Sequence, residues 1–147
     1  VLRALWTQET VDFTGRWHTI TAAGINPLPI QRPIPIWVGG GREPVLRRAG
    51  RYADGVFLNV PLGDDWETIS KVRSYATEAG RDATKIGIES QCNLIEIPIE
   101  ENLERIQNWK ARGGTHMSCH TMNVGLRGAD QHIKALQIFK EAFDALD

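Results

Sequence analysis

Ile34-Pro-Ile-Trp-Val-Gly-Gly-Gly-Arg-Glu-Pro44 joins a short β-branched and aromatic run to three glycines and then to a helix start. That order of elements decides the fold. The residues up to Gly39 suit a strand. From about Glu43 to Ala53, Val45, Leu46, Ala49 and Tyr52 fall on one helical stripe. Pro44 fits the first turn of that helix, where its missing N–H is not needed. A strand passing through glycines straight into a helix opens a βα unit.

The same cycle recurs three times downstream. Gly55-Val-Phe-Leu-Asn-Val60 predicts a strand, with Asp64 or Asp65 as N-cap of a helix carrying Trp66, Ile69, Val72, Ala76 and Ala79 and stopped by Gly80. Ile86 to Ile95 predicts a third strand, before a helix with Leu103, Ile106 and Trp109 that ends at Gly113-Gly114. His116 to Met122 predicts the fourth, before a helix from about Ala129 with Ile133, Leu136, Phe139, Phe143 and Leu146. Alternating strands and helices imply parallel pairing through right-handed crossovers. Four such units fit either an open doubly wound sheet or half of a (β/α)8 barrel, which takes about 250 residues when complete.

Upstream, Leu2, Leu5 and Trp6 stand in helical spacing from the first residues, as expected of a helix already under way and hence of a fragment. Val11, Phe13, Trp17 and Ile20 flank a Thr14-Gly15-Arg16 corner and predict a small hairpin. Asn26 to Pro35 holds four prolines, which forbid helix and favour an extended connector. The chain is therefore expected to be one partial domain, 1–147, with helix, hairpin and Pro-rich connector over 1–33 and four βα units over 34–147.

The composition sets the outer limits. A compact chain of 147 residues and 16.4 kDa buries about 68% of its unfolded surface, enough for one core. A formal charge of −1, with no block of like charges, gives no field for nucleic acid or an anionic membrane. No apolar run approaches a membrane span and no signal-peptide pattern opens the chain, so a cytoplasmic protein is expected. Cys92 and Cys119 lack CxxC spacing and are expected to be reduced thiols.

The glycine cluster has the chemistry of an anion site. Glycines admit close backbone approach, converging N–H groups meet phosphate oxygens, and the following helix start adds partial positive charge. Arg42 adds a charge-assisted contact. A tight turn needing positive φ would account for one or two of these glycines, less readily for three. The Walker A ending Gly-Lys-Ser/Thr is absent, and Pro44 stands where the dinucleotide fingerprint needs a glycine.

His116, Cys119 and His120 look like metal ligands at first. Strand alternation points His116, Ser118 and His120 one way and Met117, Cys119 and Thr121 the other, so no metal site is expected. Trp6, Trp37, Trp66 and Trp109 occupy packing positions, and His18 and His132 are expected to be structural or solvent-facing. Asp54 is expected to hold the turn into the second strand.

The run Leu2-Arg-Ala-Leu-Trp6, Phe13-Thr-Gly15, Pro33-Ile-Pro-Ile-Trp-Val-Gly-Gly40, Arg48-Ala49 and Tyr52-Ala-Asp-Gly55 resembles the C-terminal half of the luciferase-like monooxygenase class. Gly114 to Met122, with Gly125-Leu126 and His132-Ile133, is similar to its deazaflavin-dependent subgroup. The resemblance spans nearly the whole chain. It implies an α/β fold, the C-terminal half of a (β/α)8 TIM barrel, with a noncovalent flavin-type cofactor, coenzyme F420 or FMN, at the carboxyl ends of the strands. It assigns the cofactor phosphate to Val38, Gly39, Gly40, Gly41 and Arg42; the serine that often follows the glycines in relatives is missing, and Arg42 takes its place. In the barrel, Asn59, Thr121 and Met122 stand at the mouth where substrate and cofactor meet.

His120, at the same rim, is a candidate proton carrier because imidazole titrates near neutrality, or equally a structural histidine. The class's own acid–base groups belong to the four units this chain does not include, so the catalytic residues stay unassigned. The implied activity is that of an oxidoreductase or monooxygenase acting on a small-molecule substrate; the alternative is a non-catalytic, self-associating phosphate-binding module. Four barrel strands leave open edges and an uncovered face, so a second copy or the missing N-terminal half is expected as partner.

Overall fold

The structure, a computed structural model, describes residues 1–58, 65–122 and 125–146. It divides into two compact units, Val1–Ile36 and Trp37–Asp147.

The first unit holds helix α1 (Leu2–Thr7) and an antiparallel hairpin of β1 (Val11–Thr14) and β2 (Thr19–Ala23). The predicted corner closes with the Gly15 N–H donating to the His18 carbonyl at 2.9 Å. Pairing slips between Val11 and Phe13, and Ala22 sits opposite that bulge at φ 47° with its N–H donated to Asp12 Oδ1 at 2.8 Å. After the hairpin no regular element forms before Trp37, as the prolines require.

The second unit begins with β3 (Trp37–Gly39), α2 (Glu43–Tyr52) and β4 (Gly55–Phe57), and continues with α3 (Asp65–Glu78), a 3-10 turn (Ala83–Lys85) and β5 (Gly87–Asn93). It ends with α4 (Ile99–Ala111), β6 (His116–His120) and α5 (Ala129–Asp144). Asp65 is the first residue of α3, not its N-cap, and Asp64 lies outside the described residues. The four strands pair in parallel in the order β3-β4-β5-β6. A doubly wound sheet reverses its strand order at a switch point, so this sequential order excludes that alternative and is that of consecutive staves of a barrel.

With every crossover of one hand, the helices gather on one face. There Leu46 and Ala49 of α2, Ile69, Val72 and Ala76 of α3, and Trp109 of α4 enclose Val56, Leu58 and Ile88 in a single apolar cluster. Cys92, Leu94 and Phe139 of α5 form a second cluster beside Ile106 and Met117. Two side chains expected in packing positions stay out: Tyr52 is 68% exposed and Trp66 52% exposed, each at the edge of its helix's apolar stripe. Of the expected apolar face of α5, only Phe139 is buried, while Ile133, Leu136, Phe143 and Leu146 remain exposed.

Helices α2 and α3 meet backbone to backbone at Gly50. A Cβ added there would lie 2.5 Å from Tyr75 Cβ and 2.7 Å from the Val72 carbonyl oxygen. Arg81 fastens the same corner, donating to the Gly50 carbonyl at 2.5 Å and the Ala53 carbonyl at 2.7 Å, so it satisfies the open end of α2. Gly50→Ala therefore forces the two helices apart, and its expected cost is about 1–3 kcal/mol in urea unfolding, whereas Arg48→Ala on the exposed side of α2 should cost under about 0.5 kcal/mol.

Candidate functional site

The carboxyl end of β3 carries the glycine turn. Gly40 has φ 127°, a left-handed conformation that side chains rarely adopt, and a Cβ there would come within 3.4 Å of Val45 Cγ1. The turn thus needs glycine at this point for its geometry alone. The Gly40 N–H donates to the Phe57 carbonyl at 3.3 Å, extending the β3–β4 ladder, so that amide is spent within the sheet. Val38 packs its side chain against the apolar cluster under the helices and offers none to a ligand.

Arg42 is the N-cap of α2, and its carbonyl accepts from the N–H groups of Val45 (2.8 Å) and Leu46 (3.1 Å). Because Pro44 has no N–H, Glu43 is the helical residue ahead of these bonds whose N–H has no intrahelical acceptor. Glu43 brings a carboxylate to that first turn, yet it is drawn sideways: the Tyr75 hydroxyl donates to Glu43 Oε1, and Arg47 lies 3.6 Å from the same oxygen. The Arg47 guanidinium also covers the Tyr75 ring at 4.5 Å. Arg42 remains exposed at the rim.

The face of the sheet opposite the helices is lined differently. Trp37 lies over the bare backbones of Gly55 and Gly87, where added Cβ atoms would fall 2.3 Å and 2.5 Å from its ring. Phe57 and His116 flank it, with ring centroids at 5.2 Å and 4.9 Å. Above this aromatic floor, Ser118 donates to Glu89 Oε1 across β5 and β6. Asn93 pairs in register with His120, whose buried Nδ1 has no hydrogen-bond partner among the described residues. The expected alternation holds: His116, Ser118 and His120 share this face while Met117 and Cys119 pack on the other. The Glu89–Ser118 pair escaped the sequence reading, which placed Trp37 in packing alone, although Glu89, Gln91 and Asn93 at every second position already mark a polar strand face.

The mouth residues separate. Thr121 belongs to the helix side: it is buried, and its Oγ1 lies 2.6 Å from His132 Nδ1 on α5. This contact ties the strand end to α5. Met122 is exposed, and Asn59 lies outside the described residues. The glycine turn and His120 are not brought together. They stand on the two outer strands, three strand spacings apart, and the register sets Gly39 level with His116, four residues short of His120.

At the far end of β5, Asn93 Oδ1 accepts from the N–H groups of Ile95 (3.0 Å) and Glu96 (3.2 Å), while fully buried Asn102 donates to the Asn93 carbonyl at 2.9 Å. These bonds fix the rim. No helix among the described residues is long and apolar enough to cross a membrane.

Comparison with known proteins bears directly on these elements. The family model for luciferase-like monooxygenases matches residues 1–114. The F420-dependent glucose-6-phosphate dehydrogenase 2 of Rhodococcus jostii (strain RHA1) is 32% identical over 131 residues, which cover 83% of this chain and 37% of that protein. An F420-dependent glucose-6-phosphate dehydrogenase of Nocardia farcinica (strain IFM 10152) is 29% identical across all of this chain and 45% of its own length. The chain thus spans less than half of these curated relatives. Among solved structures, an F420-dependent secondary alcohol dehydrogenase in complex with an F420-acetone adduct superposes with a TM-score of 0.74 at 18% identity, covering 99% of this chain and 58% of the other. That likeness supports the fold: α/β, a parallel sheet, part of a barrel.

Thr121→Val removes the Thr121 Oγ1–His132 Nδ1 bond and with it that ring nitrogen's partner among the described residues. The expected cost is about 1–3 kcal/mol, with amide exchange accelerating in α5 while α2 and α3 keep their protection.

Proposed function

Since this chain belongs to the luciferase-like monooxygenase family, we propose that it is the cofactor-anchoring portion of an F420-dependent oxidoreductase, with FMN as the weaker ligand. The observation that carries this reading is the run of F420-dependent relatives matched along 83–100% of the chain. Their names favour the deazaflavin over FMN.

The residues present fit a phosphate. The β3–α2 turn bends at Gly40 with φ 127° and opens on the start of a ten-residue helix, whose dipole favours an anion. In this proposal Gly39, Gly40 and Gly41 give the phosphate room, and the N–H groups of Gly41, Arg42 and Glu43 bond its oxygens. The Arg42 guanidinium adds a charge-assisted contact. Val38 contributes by holding the turn in the core. Tyr75 and Arg47 keep the Glu43 carboxylate off the anion. The bound cofactor ring supplies hydride transfer. Trp37, Glu89, Ser118 and His120 form the wall facing substrate, with His120 offering an imidazole nitrogen that has no partner among the described residues.

Activity on a small-molecule substrate would require a complement. β3 and β6 are the outer strands, and α5 exposes Ile133, Leu136, Ile138 and Phe143. A second copy of this chain, or the four βα units of the longer relatives, would pair those edges and cover that helix.

Titrating the folded chain with F420 and with FMN, followed by ligand fluorescence, tests the reading. F420 is expected to bind, and Arg42→Ala should weaken it by about tenfold or more, the equivalent of a lost charge-assisted bond. Absence of F420 binding by the folded chain, or no change on Arg42→Ala, would overturn it. Sedimentation at micromolar concentration should separately give a dimer or larger species, and a clean monomer would remove the self-association.

A further inference from the structure

We propose that Cys92 and Cys119 form a dithiol site that hydroperoxides convert to a disulfide joining β5 to β6. These cysteines play no part in the proposed cofactor chemistry. They project from the helix-covered side of the sheet, opposite His116, Ser118 and His120.

Register brings them together. Cys92 is the direct partner of Cys119 in the parallel ladder, and their sulfurs lie 3.3 Å apart. Neighbouring strands stand about 4.8 Å apart, inside the Cα range of roughly 4.4–6.8 Å in which disulfides form. Closing the bond needs the sulfurs to contract from 3.3 Å to about 2.05 Å.

The two thiols differ in access. Cys92 is 1% exposed and packed by Leu94 and Phe139, so it meets no solute directly. Cys119 borders a cavity of about 590 Å³ between α4 and α5, along with Ile106, Trp109, Lys110, Phe139 and Phe143. That opening admits a small peroxide to one sulfur while the other waits behind it. The bond between them reinforces the order: accepting from Cys92 holds the Cys119 thiol below its usual range, and the same bond with burial pushes Cys92 up. A half-buried thiol held below its usual range beside a buried resolving thiol is the arrangement of a peroxide-reactive pair.

The chemistry balances. The Cys119 thiolate attacks the peroxide, the O–O bond breaks, and a sulfenic acid and an alkoxide (hydroxide, from hydrogen peroxide) result. Cys92 sulfur then attacks the sulfenyl sulfur, the S–O bond breaks, and the departing hydroxide leaves as water with the Cys92 proton. Two thiols are oxidised by two electrons in all, and one hydroperoxide is reduced to an alcohol, or a second water, plus water.

The whole chain, whose only cysteines are these two, is reduced and treated with hydrogen peroxide. The expected result is a fall from two titratable thiols to none, a loss of two hydrogens by mass, a peptide map linking the Cys92 and Cys119 segments, and full reversal by dithiothreitol. In Cys92→Ser, Cys119 should halt as a sulfenic acid trapped by dimedone; in Cys119→Ser, Cys92 should stay a thiol. Two thiols surviving in the wild-type chain, disulfides formed only between chains, or peroxide reaction of Cys92 in the folded Cys119→Ser variant would overturn the proposal. The wild-type peptide map decides even where a variant fails to fold.

Discussion

Each strand of the sheet has two faces, and the connections cover only one of them. Parallel strands in sequential order send every crossover helix to the same side. The residues that alternate along β5 record the consequence: Ile88, Ser90 and Cys92 are buried beneath helices, while Glu89, Gln91 and Asn93 look the other way. Everything chemical in this unit follows from that division. The covered face gives apolar clusters and a thiol pair. The opposite face gives an aromatic floor and a wall of hydrogen-bonding groups.

The floor depends on what two positions lack. Trp37 can lie flat across β4 and β5 because Gly55 and Gly87 raise no side chain beneath it. Any larger residue at either place would lift the indole away from Phe57 and His116. Three of the glycines show two unrelated jobs. Gly55 and Gly87 make room for a ring, whereas Gly40 permits the backbone to turn at φ 127° toward α2. A glycine's neighbours, not its presence, tell the two apart.

Sequence periodicity made most of the fold legible. The β-branched and aromatic runs, glycine stops and apolar helical stripes located four βα units, because each signal is local to its element. What periodicity could not supply was the distance between elements. Tyr52 and Trp66 sit on the apolar stripes of their helices, yet both face water, since a stripe is wider than the strip of sheet available to cover it. Thr121 likewise carries no local mark of its partner: His132 is eleven residues away on another element, and only the docking of α5 joins them. The glycine turn was legible as a turn, but the ladder bond that takes the Gly40 N–H is a fact about Phe57 on the next strand. Glu89 and Ser118 meet through register, which a single strand's pattern does not encode.

The open face and the open edges are one problem. β3 and β6 end the sheet, and the Glu89–Ser118 bond between β5 and β6 stands only partly shielded from water. A bond so placed contributes little, because water competes for both groups. If further strands close around this face, the same carboxylate and hydroxyl enter a drier interior, where their bond strengthens and an already buried, unpaired neighbour such as His120 Nδ1 becomes costlier still unless it finds a partner. The orphan nitrogen is already screened from water in the open sheet, so its demand for a partner exists before closure and grows with it. Closure would supply it with an acceptor or donor from a new strand, from ordered water or from a ligand, and the strand that completes the cylinder would decide which.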